Sequence, residues 1–167
     1  MGLSGRQFLV RVCLYFTRYH DKEVTLRLLL LIAIVLASRL PFLSAGYGSD
    51  PDAWRIAGAA RVLGTTGEYV ASRLPGYPVP EILYSLIWKG GPIALNLVTA
   101  LLSASSVALF FLSLRLLSCH NSFSLSLGLA FTPIIYVNST NAMDYVWALT
   151  FILGGFYLVI HDQPWFE

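Results

Sequence analysis

Two carboxylates stand close together in the stretch SDPDAWR at residues 49–55, just beyond a strongly apolar segment. Asp50 and Asp52 could share one divalent cation, because Mg²⁺ and Mn²⁺ prefer oxygen ligands. One of them could instead accept a proton from a sugar or protein hydroxyl group. Both also have a structural explanation, since Asp50 can cap a helix that begins at Pro51 and Asp52 can interact with that helix's dipole. The D-x-D pattern alone leaves these alternatives open.

Basic and aromatic side chains follow the acidic pair in the same connection. A phosphate group could be held by Arg55, Arg61 or Arg73, because a guanidinium group donates paired hydrogen bonds to phosphate oxygens. Trp54 and Tyr77 would supply an aromatic wall beside it. Just outside a membrane span, these residue types favour a lipid-linked phosphate as the substrate.

The composition predicts a membrane protein. Of the 167 residues, 56% are hydrophobic and 12% are charged, whereas a soluble domain carries about 25% charged residues. The net charge of +2, without a basic patch interleaved with aromatic residues, gives no indication of nucleic-acid binding. Cys13 and Cys119 lack the spacing of a metal site, and a disulfide between them is not expected on the cytoplasmic side of the membrane.

Apolar segments long enough to cross a bilayer predict an all-α, polytopic membrane protein with about four transmembrane helices. The third segment is short and contains Pro133, which is expected to kink it. Two short amphipathic helices, at residues 51–63 and 81–89, are expected in the long connection after the first span, the first of them lying flat on the membrane. The predicted regions are 1–24, a cytoplasmic interfacial helix or a basic approach to the first span; 25–43, the first span; 44–91, an outer-face loop with the acidic motif; 92–161, the second to fourth spans; and 162–167, a tail cut inside a loop.

The distribution of basic residues predicts the orientation. A cluster of them precedes or enters the first span and indicates a cytoplasmic N-terminus: Arg6, Arg11, Arg18, Lys22 and Arg27. Four spans then bring Asp50, Asp52 and Asp144 to the same outer face, although Asp144 could simply cap the fourth span. Arg39, at the outer end of the first span, is expected to extend to the interface. The histidines are expected on the opposite side, which argues against a zinc site beside the carboxylates: His20, His120 and His161.

Four short motifs follow one another in a characteristic order: RLPF at residues 39–42, SDPDAWRIA at 49–57, RLPGYP at 73–78 and NAMD at 141–144. This order resembles the N-terminal part of the GT-C superfamily of membrane glycosyltransferases. The likeness is closest to the protein O-mannosyltransferase and aminoarabinose-transferase branch. The acidic D-P motif is also similar to that of oligosaccharyltransferase catalytic subunits.

The resemblance implies that Asp50 is the catalytic or metal-linked carboxylate and that Asp52 is its second member. It further implies that Asp144 contributes to the substrate site and that Arg73 and Tyr77 shape the donor entrance. The implied reaction transfers a sugar from a polyprenyl-phosphate donor to an acceptor protein or glycolipid on the extracytoplasmic face, with inversion at the anomeric carbon. Mg²⁺ or Mn²⁺ is the only cofactor it suggests. Because superfamily members have about seven spans, this chain is expected to be the front part of a longer protein.

Two other classes of protein are alternatives to the glycosyltransferase. A small, non-catalytic four-span accessory or flippase-like protein that handles polyprenyl-phosphate lipids would explain the length, but it would not require the long outer connection. A channel or transporter should carry ionisable residues within its spans, and the second to fourth predicted spans contain almost none.

Overall fold

A computed structural model describes residues 5–161, with side chains from residue 22 onward, and these residues form α-helices and short 3₁₀ turns without any strand. The predicted all-α class is therefore confirmed for the described part of the chain. The expected tail at 162–167 lies outside the described residues. The helices are α1 (Gly5–Arg39), α2 (Pro51–Thr66), α3 (Pro78–Ile87), α4 (Gly91–Leu116), α5 (Ser122–Ala130), α6 (Pro133–Asn138) and α7 (Tyr145–His161).

The long helix α4 is the centre of the fold, since α1, α3, α5 and α7 all contact it. One apolar cluster joins it to α1 and α5. In this cluster Leu31 and Val35 of α1 pack with Val107 and Phe111 of α4 and with Ala130 at the end of α5. All of these side chains are buried, so the apolar surface of α1 is partly covered by protein.

A second apolar cluster joins α2 to the other side of α4. Ile56 and Ala60 of α2 pack with Tyr84 of α3, Leu95 of α4 and Trp147 of α7. The apolar stripe of α2 therefore faces the protein interior, and the expectation that this helix lies with its stripe on the membrane is wrong. Burial among other helices removes the same apolar surface from water that a bilayer would.

Two helical stretches of the described chain are long and apolar enough to cross a membrane. The first is Lys22–Phe42, with 21 residues, and the second is Pro78–Leu116, with 39 residues, which includes α3, a 3₁₀ turn and α4. The predicted third span is instead two short helices, α5 and α6, and the predicted fourth span is α7, with 17 residues. The structure thus supplies two membrane-length helices where four spans were expected.

Pro133 explains why the third segment is broken. Thr132 adopts φ −58° and ψ 124°, the extended conformation that proline imposes on the preceding residue. The chain leaves the helix there and α6 begins at Pro133 itself. By contrast, α1 continues without a break past residue 24, so the expected interfacial region and the first span belong to one helix.

Both helices of the long connection differ from their predicted limits. α2 continues past Gly64 to Thr66 and is capped by Gly67, which has φ 75° and donates its N–H to the carbonyl of Leu63. Gly64 has a packing role instead, since a Cβ there would lie 2.4 Å from the Trp88 ring. α3 begins three residues earlier than predicted, at Pro78, because a first turn does not need the N–H that proline lacks.

Arg39 is the last residue of α1, and its side chain lies inside the protein. It is fully buried, and its guanidinium group lies 4.5 Å from the centre of the Tyr136 ring. It donates to the carbonyl of Ala130 at 2.5 Å and to Oγ of Ser139 at 3.1 Å. The expectation that Arg39 extends to a membrane interface is therefore wrong. Its side chain instead stabilises the bend between α5 and α6 through its hydrogen bond to the Ala130 carbonyl.

Candidate functional site

Asp50 is the N-cap of α2. Its backbone is extended, with φ −79° and ψ 127°, and its side chain accepts a hydrogen bond from the N–H of Asp52 at 2.9 Å. Pro51 occupies the first helical position. The predicted capping role is confirmed, and it leaves the carboxylate half-buried at the surface of the site.

Arg73 brings two of the predicted acidic residues together. Its guanidinium group forms one ion pair with Asp52 through Nη1 and a second with Asp144 through Nη2, the latter at 2.6 Å. The side chain of Arg73 is 17% exposed and that of Asp144 is 9% exposed. This cluster, here called the Arg73 cluster (Asp52, Arg73 and Asp144), joins the start of α2, the loop before α3 and the start of α7.

Two tyrosine rings pack against the guanidinium group of Arg73. Its central carbon lies 4.5 Å from the Tyr77 ring centre and 5.6 Å from the Tyr145 ring centre. Burial alone would lower the pKa of Arg73, but the charge of Asp144 and hydrogen bonds with Tyr77, Asp144 and Asp52 raise this pKa above its ordinary value. Arg73 therefore stays cationic, with its charge directed to the carboxylates.

Arg55 approaches the same cluster from the solvent. It donates from Nη1 to Oδ1 of Asp52 at 3.0 Å, and its side chain is 61% exposed. Arg55 is therefore accessible to a ligand, whereas Arg73 is engaged by two carboxylates. Of the two arginines that pair with Asp52, Arg55 therefore fits the predicted role of holding a phosphate better than Arg73 does.

The geometry argues against a cation shared by Asp50 and Asp52. Both oxygens of Asp52 accept from guanidinium groups, Oδ1 from Arg55 and Oδ2 from Arg73. One oxygen of Asp50 accepts from the N–H of Asp52. No group of three or more metal-ligating side chains occurs among the described residues. A Mg²⁺ or Mn²⁺ ion would have to displace an arginine, so the residues as arranged do not fit this cofactor.

Glu81 supports the cluster, although the sequence indicated only a helix start. Its carboxylate is 1% exposed and accepts from Ser72 N–H at 2.8 Å, Ser72 Oγ at 2.5 Å and Tyr77 N–H at 3.2 Å. It also accepts from the Tyr69 hydroxyl group. These bonds fix the segment on both sides of Arg73. The available signal was an acidic residue in the first turn of an otherwise apolar helix.

Asp50 also lines a cleft of ≈530 Å³ at α6 and α7. The other lining residues are mostly apolar: Ile134, Ile135, Asn138, Tyr145, Val146 and Leu149. A carboxylate at an apolar cleft of this size is suited to a ligand with a hydrocarbon part and a polar head. The predicted residues are thus divided between two places, with Asp50 at the cleft and Asp52, Arg73 and Asp144 in the adjoining ion-pair cluster.

No protein family model matches this chain, and no curated protein or solved structure is detectably similar to it. The fold and the site define it as an all-helical protein, over the described residues, with two membrane-length helices and a cleft that contains a carboxylate.

Proposed function

We propose that this chain, alone or within a longer protein, is a membrane glycosyltransferase of the GT-C type. It transfers a sugar from a polyprenyl-phosphate-linked donor to an acceptor protein or glycolipid on the extracytoplasmic face. The observation that carries this proposal is the position of Asp50 at the apolar cleft beside α6 and α7. The polyprenyl chain occupies the apolar walls, and the phosphate-linked sugar lies near the carboxylate.

In the proposed reaction Asp50 is the general base. It accepts the proton of the acceptor hydroxyl group while that oxygen attacks the anomeric carbon of the donor sugar. The bond between the anomeric carbon and the phosphate oxygen breaks, the electron pair leaves with the polyprenyl phosphate, and the anomeric configuration inverts. Arg55 donates hydrogen bonds to the departing phosphate, which its 61% exposure permits.

The Arg73 cluster positions these groups without touching the reacting atoms. Asp52 follows Asp50 by two residues, and its N–H holds the Asp50 carboxylate at 2.9 Å. Arg73 forms ion pairs with Asp52 at the start of α2 and with Asp144 at the start of α7. These ion pairs hold α7, which forms one wall of the cleft, beside α2. Tyr77 supports this arrangement through its contact with Arg73.

The proposal includes a multi-pass arrangement in the membrane. The N-terminus is cytoplasmic, α1 and α4 cross the bilayer, and α5 with α6 and then α7 form two further crossings. The Asp50 cleft then opens on the extracytoplasmic or lumenal side. The basic residues before the first membrane-length helix support this orientation.

Substitution of Asp50 tests the proposal, because Asn and Ala separate its chemistry from its capping role. Asn caps helices about as well as Asp, whereas Ala costs about 1 kcal/mol. In full-length protein in proteoliposomes, Asp50→Asn should reduce transfer of a radiolabelled sugar from polyprenyl phosphate by at least about 10²-fold. Its thermal unfolding midpoint should remain that of the wild type, while Asp50→Ala lowers it. Wild-type turnover by Asp50→Asn would overturn the assignment of Asp50 as the base.

A non-catalytic protein that handles polyprenyl-phosphate lipids is the alternative function. It is favoured by one observation, that Asp50 caps α2 while Asp52 and Asp144 are neutralised by Arg73. In that case the wild-type protein would bind the polyprenyl phosphate but would transfer no sugar, and Asp50→Asn would bind it equally well.

A further inference from the structure

A second cleft, of ≈390 Å³, is lined by residues of α2 and of the segments before and after α2. We call it the aromatic cleft. None of its lining residues is shared with the cleft that contains Asp50. Three aromatic side chains, one arginine and two glycines distinguish its walls, which are formed by Tyr47, Trp54, Ala57, Gly58, Arg61, Trp88, Gly91 and Leu95.

The first aromatic wall is held in a fixed orientation. Trp54 donates from its indole N–H to the carbonyl of Gly48 at 2.9 Å. Its ring also meets the Tyr47 ring edge to face, with 5.0 Å between the centres and 77° between the planes. Trp54 is nevertheless 56% exposed, so a large indole surface is fixed in place and remains accessible.

The second aromatic wall depends on a glycine of α2. Trp88 lies against Gly64, where a Cβ would come within 2.4 Å of the indole ring. The guanidinium group of Arg61 is 5.9 Å from the centre of the same ring. Trp88 and Arg61 therefore form one side of the aromatic cleft, with a flat apolar surface and hydrogen-bond donors next to each other.

We propose that the aromatic cleft binds a pyranose ring of a glycan acceptor. A pyranose ring has C–H groups on its faces, which the negative face of an indole attracts, and hydroxyl groups at its edge, which Arg61 can hydrogen-bond. The charge of Arg61 disfavours a cationic ligand. Gly58 leaves the floor open, since a Cβ at that position would meet nothing within 4 Å.

The location of the aromatic cleft relative to Asp50 supports an acceptor. Tyr47 precedes Asp50 by three residues and Trp54 follows it by four, while Asp50 lines the apolar cleft. Four residues span about one helical turn, or about 5.4 Å. In the proposed arrangement, the donor lipid lies in the cleft that Asp50 lines and the acceptor sugar reaches Asp50 from the aromatic cleft, whose Trp54 is about one turn further along the chain. This inference rests on the proposed glycosyltransferase function for the identity of the ligand.

Filling the aromatic cleft tests the inference without disturbing its walls. Gly58→Leu places a side chain in the open floor of the cleft, at an exposed helical position. Gly128→Leu is the matched control, because Gly128 is also exposed, helical and open beyond its Cβ position, but does not line the cleft. Replacing glycine within a helix should not destabilise either variant.

The measurement is titration of the purified full-length protein with methyl glycosides of mannose, glucose and N-acetylglucosamine, followed by saturation-transfer NMR. At least one glycoside should bind saturably to the wild type. Gly58→Leu and Trp54→Ala should each weaken that binding at least about tenfold, which corresponds to about 1.4 kcal/mol. Gly128→Leu should bind as the wild type does.

Three results would overturn the inference. The first is that no glycoside binds saturably, and the second is that Gly58→Leu binds glycosides as tightly as the wild type does. The third is that the aromatic cleft lies in lipid, as the sites formed by interfacial tryptophans do. The last would appear as quenching of the Trp54 fluorescence, taken as the difference between wild type and Trp54→Phe, by lipids brominated on their acyl chains. Glycoside binding requires no transfer step, so its loss is separate from a failure of the Asp50→Asn transfer assay.

Discussion

Arg73 donates a hydrogen bond to Asp144 at 2.6 Å across 71 positions of the sequence. The same guanidinium group forms an ion pair with Asp52, 21 residues before it. One side chain thus ties the starts of α2 and α7 to the loop before α3. Because Asp50 caps α2 and lines a cleft with α7 residues, this arginine sets the shape of the proposed active site.

Arg73→Met should lower the stability of the protein by roughly 3 kcal/mol. The reason is that breaking a largely buried ion pair leaves an uncompensated charge, here on Asp144, whereas Asp52 keeps its ion pair with Arg55. Thermal unfolding in detergent measures the effect. Arg55→Met is the matched control, because Arg55 pairs with the same Asp52 but is 61% exposed, and an exposed pair contributes about 0–1 kcal/mol. Equal losses of stability in Arg73→Met and Arg55→Met would contradict the conclusion that Arg73 holds the starts of α2 and α7 together.

The coupling between Arg73 and Asp144 can be measured separately. The double variant Arg73→Met with Asp144→Asn should be destabilised by less than the sum of the two single variants, since each partner loses its effect when the other is absent. If the destabilisation of the double variant equals the sum of the two single-variant values within about 0.5 kcal/mol, the two residues act independently.

Glu81→Gln should release the segment around Arg73. The amide group of Gln offers one oxygen where the Glu81 carboxylate accepts from Tyr69, Ser72 and Tyr77. Leaving such donors unsatisfied costs about 1–3 kcal/mol each. Hydrogen exchange of the Ser72 and Tyr77 amide groups should therefore accelerate, and transfer activity should fall through misplacement of Arg73.

The control for this substitution is Glu68→Gln, which changes an exposed carboxylate of the same connection. Its effect on stability should remain within about 0.5 kcal/mol. Unchanged amide exchange at Ser72 in Glu81→Gln would show that this carboxylate does not hold the segment.

Tyr69 should make the stability depend on alkaline pH. Its hydrogen bond to Glu81, with burial and the Glu81 charge, raises the pKa of Tyr69 above the ordinary value of about 10. Below pH about 10 the phenol is protonated in both states, and its contribution to stability is complete. Above that pH the unfolded state ionises first, so the free energy of unfolding falls as pH rises through the folded pKa.

The measurement is the thermal unfolding midpoint of wild type and Tyr69→Phe between about pH 8 and pH 11, on both sides of the ordinary tyrosine pKa. The wild type should lose stability more steeply at the alkaline end, because Phe has no proton to release. Parallel profiles for the two proteins would show that the bond between Tyr69 and Glu81 does not contribute to stability.

A cysteine at position 66 tests the orientation in the membrane. Thr66 is exposed at the end of α2, on the proposed outer face. With Cys13 and Cys119 replaced by Ser, Thr66→Cys should react with a membrane-impermeant maleimide added from outside. A variant that retains only Cys119 should react only after permeabilisation. The reverse pattern would contradict the proposed orientation.

Local features of this fold could be predicted from the sequence. The helical class, the cap at Asp50 and the approximate limits of α4 depend on residues within about one turn of each other, whereas α1 was predicted as two separate elements and is one helix. The break at Pro133 was also foreseeable, since proline acts on its immediate neighbours. The sequence likewise indicated Asp50, Asp52, Arg73 and Asp144 as candidate site residues, because acidic and basic groups are rare in so apolar a chain.

Only the tertiary structure determined which partner each of these charged side chains has. The spacing of Asp50 and Asp52 is compatible with a shared cation, but Arg73 and Arg55 occupy the oxygens of Asp52. Arg39 is buried because Ser139, a hundred residues away, lies beside it. The partner of a charged side chain depends on which distant segments pack together, and that packing is determined by the whole apolar core and by no local pattern.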